Sequence, residues 1–307
     1  MSIYSKAYST APLDGAVLVP SPHLPSSALA ASTSSAVALP VLLAVKPNQL
    51  LQLLPQLKEL ARSPVVLQVS TAATRDHAPV LALRGSGLSL VYSRDGEAAK
   101  RNALVAARVA AQGHGVVHFG EFDSAVDFGF DKAATEFVLA KGSKASNGNG
   151  ASNGNGEVHD ETTPAPVATL FSSAFAQQGA SSQAYAGAES PKTLLIALGN
   201  TSALETALPA DFALVSLNLY RPLSPAQIRG LVPAGVETVV VLEQVYKKAS
   251  KWAPVYLDVV GAFADEDDDA RVPTILSATL GNKPSIQAIQ GASLVLTCPF
   301  HLHELSS

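Results

Sequence analysis

Four groups of side chains in this sequence have types and spacings that suit chemistry. Consecutive carboxylates attract hard cations, cysteine with histidine binds zinc, an Asp-His pair moves protons, and lysines beside an aromatic ring contact anions or proteins. In that order the groups are Asp265 to Asp269, then Cys298 with His301 and His303, then Asp76-His77 with the more distant His118, and finally Lys247, Lys248, Lys251 and Trp252. Each group also has a plain structural explanation.

The first three groups fit their structural explanations better. Adjacent carboxylates such as Asp265 to Asp269 point in different directions, whereas calcium and magnesium sites use spaced carboxylates, usually with a glycine at the turn. Cys298, His301 and His303 lack a fourth zinc ligand nearby. His118 lies in the apolar run VVHFGEF, which is typical of a core histidine, and no nucleophile-elbow serine accompanies it. We therefore expect no catalytic, cofactor-binding or metal-binding residue in this chain.

Two interpretations of the lysine cluster remain open. Lys247, Lys248, Lys251 and Trp252 follow the apolar run Val236 to Leu242, and ligands of open α/β sheets bind beyond the carboxyl ends of the strands. A solvated loop is the simpler explanation. The same four residues are nevertheless the best candidates in the sequence for contact with a partner or a small anion.

Length, charge and cysteine content limit the class of protein. A chain of 307 residues is long enough for two domains, each with its own core. The net charge of −4 gives no electrostatic reason to expect nucleic acid or an anionic membrane as a partner. Cys298 is the one cysteine, which excludes an internal disulfide and a cysteine-held iron–sulfur cluster. No apolar run is long enough to span a bilayer and no secretory signal is visible, so we expect a cytoplasmic protein.

A low-complexity segment divides the chain. The hexapeptide ASNGNG occurs twice in tandem, from Ala145 to Gly156, and a polar, proline-bearing stretch follows it. Segments so rich in Gly, Asn and Ser do not bury enough apolar surface to offset the chain entropy lost on folding. The sequence therefore predicts one domain at residues 1–140, a flexible linker at 141–190 and a second domain at 191–307. Within the linker interval, Val167–Phe175 keeps the alternative of packing against a domain.

Buried strands alternate with helices on both sides of the linker, which predicts two α/β domains built on parallel sheets. Strands are expected at Ala38–Val45, Val65–Val69, Leu88–Tyr92, Gly115–Phe119, Lys192–Leu198, Ala213–Leu219, Val236–Leu242 and Arg271–Thr279. Helices are expected at Asn48–Ala61, from the Asp95 cap to Ala111, at Ser202–Ala207, and after Ser224, where Pro225 and Gln227 complete a helix-start signal. Tyr256–Phe263 fits a helix or a strand.

Two series of short motifs resemble the pyruvate:ferredoxin oxidoreductase family. The second, transketolase-C-terminal-like domain of that family is similar to the stretch that contains Tyr220-Arg221-Pro222, Leu231-Val232-Pro233 and Pro254–Val259. The later half of its first, thiamine-diphosphate-fold domain is similar to motifs between Ala61 and Asp123, among them Asp76-His77. The resemblance implies a degenerate thiamine-diphosphate-type fold followed by a transketolase-C-terminal-like fold.

The chain departs from that family at the residues that hold substrate. In the pyruvate enzymes an HVAAR-like arginine follows the first strand, whereas this chain has Gln68-Val69-Ser70-Thr71-Ala72 there. The thiamine-binding GDG motif and the cluster cysteines of the family are also missing. The resemblance therefore implies a scaffold without the chemistry of the pyruvate enzymes.

The motifs are also similar to the N-terminal region of fungal assimilatory sulfite reductase (NADPH), more to its haemoprotein β subunit than to its flavoprotein α subunit. The features in common are Leu219–Pro222, Val232–Leu242 and the pair Lys247-Lys248. This resemblance implies a non-catalytic structural or assembly region with no cofactor of its own. The NADPH, FAD, FMN, sirohaem and 4Fe–4S cluster of the parent complex would belong to other modules or subunits, which would also be the partners.

Two other hypotheses stay open at this point. The chain is alternatively a component of a 2-oxoacid (pyruvate):ferredoxin or flavodoxin oxidoreductase that pairs with thiamine-binding and iron–sulfur subunits. It is otherwise a degenerate chain with no retained role. Whether the chain catalyses a reaction by itself is left open by the sequence.

Overall fold

The structure is a computed structural model that describes residues 40–122, 132–140, 165–245, 252–264 and 272–280. Its strands are β1 (Val41–Ala44), β2 (Val65–Ser70), β3 (Ser89–Ser93), β4 (Val116–Gly120), β5 (Gln183–Gly187), β6 (Thr193–Leu198), β7 (Phe212–Leu217), β8 (Leu219–Arg221), β9 (Thr238–Glu243) and β10 (Thr274–Thr279). Its α-helices are α1 (Leu57–Leu60), α2 (Ala78–Leu81), α3 (Gly96–Ala110), α4 (Lys132–Leu139), α5 (Ala165–Gln177), α6 (Ser202–Glu205), α7 (Pro225–Gly230) and α8 (Pro254–Ala264). A 3₁₀ helix at Pro47–Gln56 leads into α1.

The first sheet has the strand order β1-β2-β4-β3-β8. The first four of these strands pair in parallel, with Val69 opposite Phe119 and Phe119 opposite Tyr92. Every residue of β3 and of β4 is buried, as expected for strands that are covered on both faces. Helices cross over between the parallel strands, which is the arrangement that the alternating sequence pattern predicts.

The second sheet has the strand order β10-β9-β6-β7-β5. It is parallel except for β5, which pairs antiparallel with β7 at the edge. Every residue of β6 and of β7 is buried. The structure thus confirms an α/β protein with two mainly parallel sheets.

A strand from the second half of the chain completes the first sheet. β8 pairs antiparallel with β3, where Leu219 lies opposite Val91, and the Tyr92 amide donates to the Asn218 carbonyl at 2.7 Å. The strand predicted at Ala213–Leu219 therefore ends at Leu217, because the chain leaves one sheet at Asn218 and enters the other. The predicted division into residues 1–140 and 191–307 does not coincide with the two sheets.

The structure corrects the second half of the interval predicted as a linker. Within residues 141–190 it contains the helix α5 and the edge strand β5. Phe171 and Phe175 of α5 are buried in a core with α3 and the first sheet, so this helix is part of the folded molecule. The tandem ASNGNG repeat lies outside the described residues, where the linker stays a prediction.

A shared core joins the two sheets. Its members include Val117 and Phe119 of the first sheet and Ile196 and Val241 of the second, together with side chains of α2, α7 and α8. The opposite face of the first sheet packs on α3 and α5, and the opposite face of the second sheet forms a third apolar group. Separating the sheets would expose this shared apolar surface to water, which opposes separation.

The local helix signals are confirmed. Asp95 accepts a hydrogen bond from the Ala98 amide at 2.7 Å and begins α3. Ser224 and Gln227 form the reciprocal capping box that begins α7. The ambiguous segment Tyr256–Phe263 is helical and belongs to α8. Among the described residues, no helix combines the length and apolarity that crossing a membrane requires.

Candidate functional site

The carboxyl ends of parallel strands from both sheets meet at a group of five polar side chains. This strand-end cluster consists of Arg94 after β3, Glu121 after β4, Asn200 after β6, Glu205 at the end of α6, and Gln244 after β9. Ligands of α/β proteins commonly bind at such strand ends and between packed units. The strand-end cluster is therefore the candidate functional site.

Glu121 links the two sheets within the cluster. Its Oε1 accepts a hydrogen bond from Gln244 Nε2, and its Oε2 accepts a longer one, of 3.4 Å, from Asn200 Nδ2. Gln244 Oε1 in turn accepts from the Asn200 backbone amide at 3.3 Å. Both carboxylate oxygens of Glu121 therefore already have donors within the protein.

Arg94 and Glu205 form a second link. Arg94 Nη1 lies 2.5 Å from Glu205 Oε1, and the Thr201 hydroxyl donates to the same oxygen at 2.9 Å. Thr201 also lies 2.8 Å from the hydroxyl of Ser216 on β7. The side chains of Arg94 and Glu205 are 37% and 28% exposed, so solvent partly screens this ion pair.

Backbone contacts hold the cluster in place. The His77 amide donates to the Gln244 carbonyl at 2.8 Å, and the Glu121 amide donates to the Ser93 carbonyl at 3.1 Å. Gly120 has a φ of +155°, and a Cβ at this position would lie 1.9 Å from the Ser93 oxygen. Only glycine therefore lets β4 come so close to β3 beside Glu121.

His77 lies in an aromatic layer beneath the cluster. Its ring centroid is 5.1 Å from that of Tyr92 and 5.3 Å from that of Phe119. Burial lowers the pKa of His77 to about 3, so the imidazole is neutral at physiological pH. Burial, followed by the charge of Glu121, raises the pKa of Tyr92. Asp76 binds the Ala78 amide at 3.0 Å at the start of α2, which gives this carboxylate a structural role.

His118 lies on the other face of the first sheet and is fully buried. Its Nε2 is 2.8 Å from the Ser93 hydroxyl, which also accepts a hydrogen bond from Asn102 Nδ2 at 3.0 Å. Its ring stacks on Phe122 with a centroid distance of 4.9 Å, and burial lowers its pKa to about 3. These contacts agree with the prediction of a core histidine.

The Tyr-Arg-Pro motif has a structural explanation. Tyr220 Oη and Arg221 Nη2 each lie 2.5 Å from Asp258 Oδ2 on α8. The Arg221 guanidinium also lies 4.1 Å from the centroid of the Tyr220 ring, and burial raises the pKa of Tyr220. The motif thus fastens α8 to the strand that completes the first sheet, and its charges are satisfied internally.

Glu243 is a buried carboxyl group at the end of β9. Its Oε1 accepts a hydrogen bond from the Tyr256 amide at 2.8 Å, in the first turn of α8. Burial raises the pKa of Glu243 from 4.5 to about 7, whereas the amides of Val255 and Tyr256 lower it. The side chain accepts hydrogen bonds from free amides at the start of a helix. Its pKa of about 7 lies close to neutral pH.

The predicted partner contact is described only at Trp252. This side chain is 55% exposed and stacks on Tyr256, with a centroid distance of 6.0 Å and an angle of 13° between the rings. Lys247, Lys248 and Lys251 lie outside the described residues, as do Asp265 to Asp269, Cys298, His301 and His303. Over the residues that are described, no group of three or more His, Cys, Asp or Glu could hold a metal ion.

Sequence reasoning missed the strand-end cluster. Glu121, Asn200 and Gln244 each stand within two residues after a strand, and polar residues at that position are a recognisable signal in parallel sheets. The sequence does not predict that these residues contact one another, because Gln244 and Glu121 are 123 positions apart. Glu205 is the least predictable member, since it is presented by the single-turn helix α6.

Comparison with known proteins gives one weak similarity in sequence. No family model matches the chain. A stretch of 81 residues, or 26% of this chain, is 26% identical to the sulfite reductase (NADPH) subunit beta of Schizosaccharomyces pombe. The match covers 6% of that relative's length.

The similarity of this chain to solved structures is distant. A 2-oxoglutarate:ferredoxin oxidoreductase from Magnetococcus marinus, with 2-oxoglutarate, coenzyme A and succinyl-CoA bound, has a TM-score of 0.46 and 12% identity over 87% of this chain and 54% of its own. A transketolase complex from Pichia stipitis has a TM-score of 0.38 and 9% identity over 67% of this chain and 27% of its own. The α/β class therefore stands on the two sheets themselves, and the thiamine-type and transketolase-type assignments stay predictions. A quarter of this chain is weakly similar to part of a sulfite reductase subunit.

Proposed function

We propose that this chain is a non-catalytic structural and assembly module of an assimilatory sulfite reductase, an enzyme that reduces sulfite to sulfide with NADPH in the cytoplasm. Flavins, sirohaem and the iron–sulfur cluster would be carried by other modules. The 81-residue similarity supports the choice of enzyme. The observation that carries the non-catalytic part is the strand-end cluster, where the charged side chains bind one another.

A ligand at the strand-end cluster would have to displace partners within the protein. Glu121 has a donor on each carboxylate oxygen, and Glu205 is bound by Arg94 and Thr201. Hydrogen bonds to charged groups contribute about 1.5–3 kcal/mol each. A ligand that broke two of these bonds would lose several kcal/mol of its own binding energy, which favours a structural role for the cluster.

Trp252 and the outer face of α8 offer a surface for assembly. Trp252 is 55% exposed and Leu257 is 42% exposed, and Tyr256 and Val260 are half-buried beside them. The charged residue of α8, Asp258, is already bound to Arg221. Exposed aromatic and aliphatic side chains of this kind act as anchors in protein interfaces. The proposed partner is another module or subunit of the same enzyme, and Lys247, Lys248 and Lys251 belong to the proposal through their position in the sequence.

Complementation tests this function directly. A sulfite reductase β subunit from which the matching segment has been deleted is assembled with its α subunit, and this chain is then added. We expect the chain to bind and to restore NADPH-dependent sulfide production. Trp252→Ala is expected to weaken binding by about thirtyfold or more, because tryptophan anchors contribute about 2 kcal/mol or more to an interface.

Tyr185→Ala is the matched control, because Tyr185 is 49% exposed and lies on the edge strand β5. It should bind as well as the unmodified chain. Equal binding by the Trp252 variant would show that α8 is not the contact, whereas failure of the unmodified chain to bind or restore activity would overturn the proposed enzyme.

Calorimetry with cofactors tests the non-catalytic part. We expect no binding of thiamine diphosphate or coenzyme A to the purified chain, and no flavin or haem absorbance. Micromolar affinity for either compound, or a stoichiometric chromophore, would contradict a purely structural role.

A further inference from the structure

Three buried side chains beneath the strand-end cluster carry unsatisfied polar atoms. The Thr71 hydroxyl, both ring nitrogens of His77 and the Tyr92 hydroxyl have no hydrogen-bond partner among the described residues. Thr71 and His77 are 0% exposed and Tyr92 is 2% exposed. Bulk water therefore does not reach these atoms.

The three side chains belong to one buried layer. Tyr92 lies opposite Phe119 in the first sheet, and Phe119 lies opposite Val69. Thr71 is two residues beyond Val69, so the pleat of the extended chain turns its side chain to the same face. His77 covers this face, with its ring against both Tyr92 and Phe119.

Leaving these groups dry would be costly. A buried polar group without a partner destabilises the folded state, and such groups in native proteins are nearly always satisfied by protein or by ordered water. Buried water typically makes about three hydrogen bonds to otherwise unsatisfied groups. Two hydroxyls and a neutral imidazole present both donors and acceptors, and they carry no charge that would select an ion.

We propose that Thr71, His77 and Tyr92 enclose an internal hydration site, in which ordered water bridges the loop before α2 to the carboxyl end of the first sheet. The water takes the place of direct hydrogen bonds between this loop and the strands. It supports the His77 ring. The backbone amide of His77 donates to the Gln244 carbonyl and so connects this loop to the second sheet.

A crystal structure of the unmodified protein at high resolution tests the site directly. We expect water density about 2.7–3.2 Å from polar atoms of at least two of the three side chains. A dry layer would overturn the proposal. So would a side chain from outside the described residues in the position assigned to water.

Variants provide an independent measurement. If water bridges the groups, Thr71→Val and Tyr92→Phe each remove one of its partners, and each should lower the Tm by about 2–4 °C. The loss in the double variant should be smaller than the sum, because both changes remove the same bridge. Thr71→Val combined with Tyr220→Phe is the control, since Tyr220 binds Asp258 at a separate site, and its losses should add. An increase in Tm for either single variant would show that the layer is dry and would overturn the proposal.

Discussion

Glu243 shows how burial and helix geometry oppose each other at a single residue. Burial favours its neutral form, while the amides at the start of α8 favour its charged form, and the pKa settles at about 7. Asp258 raises this pKa further and Arg84 lowers it. Because the pKa in the folded state is above the ordinary value of 4.5, Glu243 binds its proton more tightly in the folded protein than in the unfolded chain between about pH 4.5 and pH 7. The contribution of Glu243 to stability therefore falls as the pH rises through that window and levels off above it.

Glu243→Gln should remove this dependence on pH. Glutamine keeps an acceptor for the Tyr256 amide but has no charge to bury. We expect the free energy of unfolding of the variant, relative to the unmodified protein, to rise by up to about 3 kcal/mol between pH 5 and pH 8. Urea unfolding at several pH values measures it, and the buried His77 and His118 cancel in the difference because both proteins contain them. Glu97→Gln, at an exposed carboxylate, is the control, and a difference that does not change with pH for Glu243→Gln would contradict the assigned burial effect.

At the level of single residues, the sequence predicted what is local. The caps at Asp95 and Ser224 act on amides three positions away, so their spacing can be recognised in one chain. The pairing of Glu121 with Gln244 spans 123 positions and depends on how two sheets pack. No pattern of residue spacing in the sequence predicts a contact over such a distance. The helix starts can therefore be predicted from the sequence, and the candidate site cannot.

Among the elements, α3, α4 and α5 are held together by Arg108. This side chain of α3 donates from Nη1 to the Phe137 carbonyl of α4 at 3.1 Å and to Gln177 Oε1 of α5 at 2.7 Å. Its guanidinium lies 4.7 Å from the centroid of the Phe137 ring. A cation at the last turns of two helices also complements their dipoles. Arg108 thus ties to α3 the helices that flank the tandem repeat on either side.

Arg108→Met should loosen α4 and α5 and leave the sheets in place. Methionine keeps an apolar stem of similar length but loses the donors and the charge. We expect a loss of about 1–3 kcal/mol in the free energy of unfolding, together with faster amide hydrogen exchange in residues 132–139 and 165–177. Arg101→Met is the control, because Arg101 is exposed on the same helix. Unchanged exchange in α5 would show that its packing alone holds it.

The elements that were misjudged share a physical cause. α5 lies inside the predicted linker interval, between the tandem repeat and a small, polar segment. Its apolar residues indicate that it can pack, but the surface that its two phenylalanines cover is formed only by the folded α3 and first sheet. β8 is three residues long, too short for a period-two pattern. Long buried strands such as β9 can be predicted, because an apolar run is visible in the sequence whichever strand it pairs with.

The parts of the chain before and after the tandem repeat are interlocked in the fold. β8 and α5 come after the tandem repeat but complete the sheet and core formed by residues before it. Residues 1–140 alone would leave β3 unpaired on one side and expose the surface that Phe171 and Phe175 cover. We infer that the two halves of the chain form one cooperative unit.

Cleavage within the tandem repeat should therefore leave the protein assembled. With a sequence-specific protease site inserted at residues 145–156, we expect the cut chain to elute as one species and to unfold in one transition. Residues 1–140 expressed alone should show no cooperative unfolding, and added residues 165–307 should restore it. The uncut insertion variant is the control. Cooperative unfolding of residues 1–140 by themselves would contradict the interlock.

The late arrival of β8 has a consequence for biosynthesis. A ribosome delivers the chain from its N-terminus at about 5–20 residues per second, and β3 emerges well before the strand that pairs with its outer side. During that interval β3 presents a row of free amide and carbonyl groups, which is a template for pairing with other chains. A translation product that stalls before Leu219 keeps this edge open permanently. The nascent protein is therefore most exposed to aggregation, and most dependent on chaperones, after its first four strands exist and before its eighth is made.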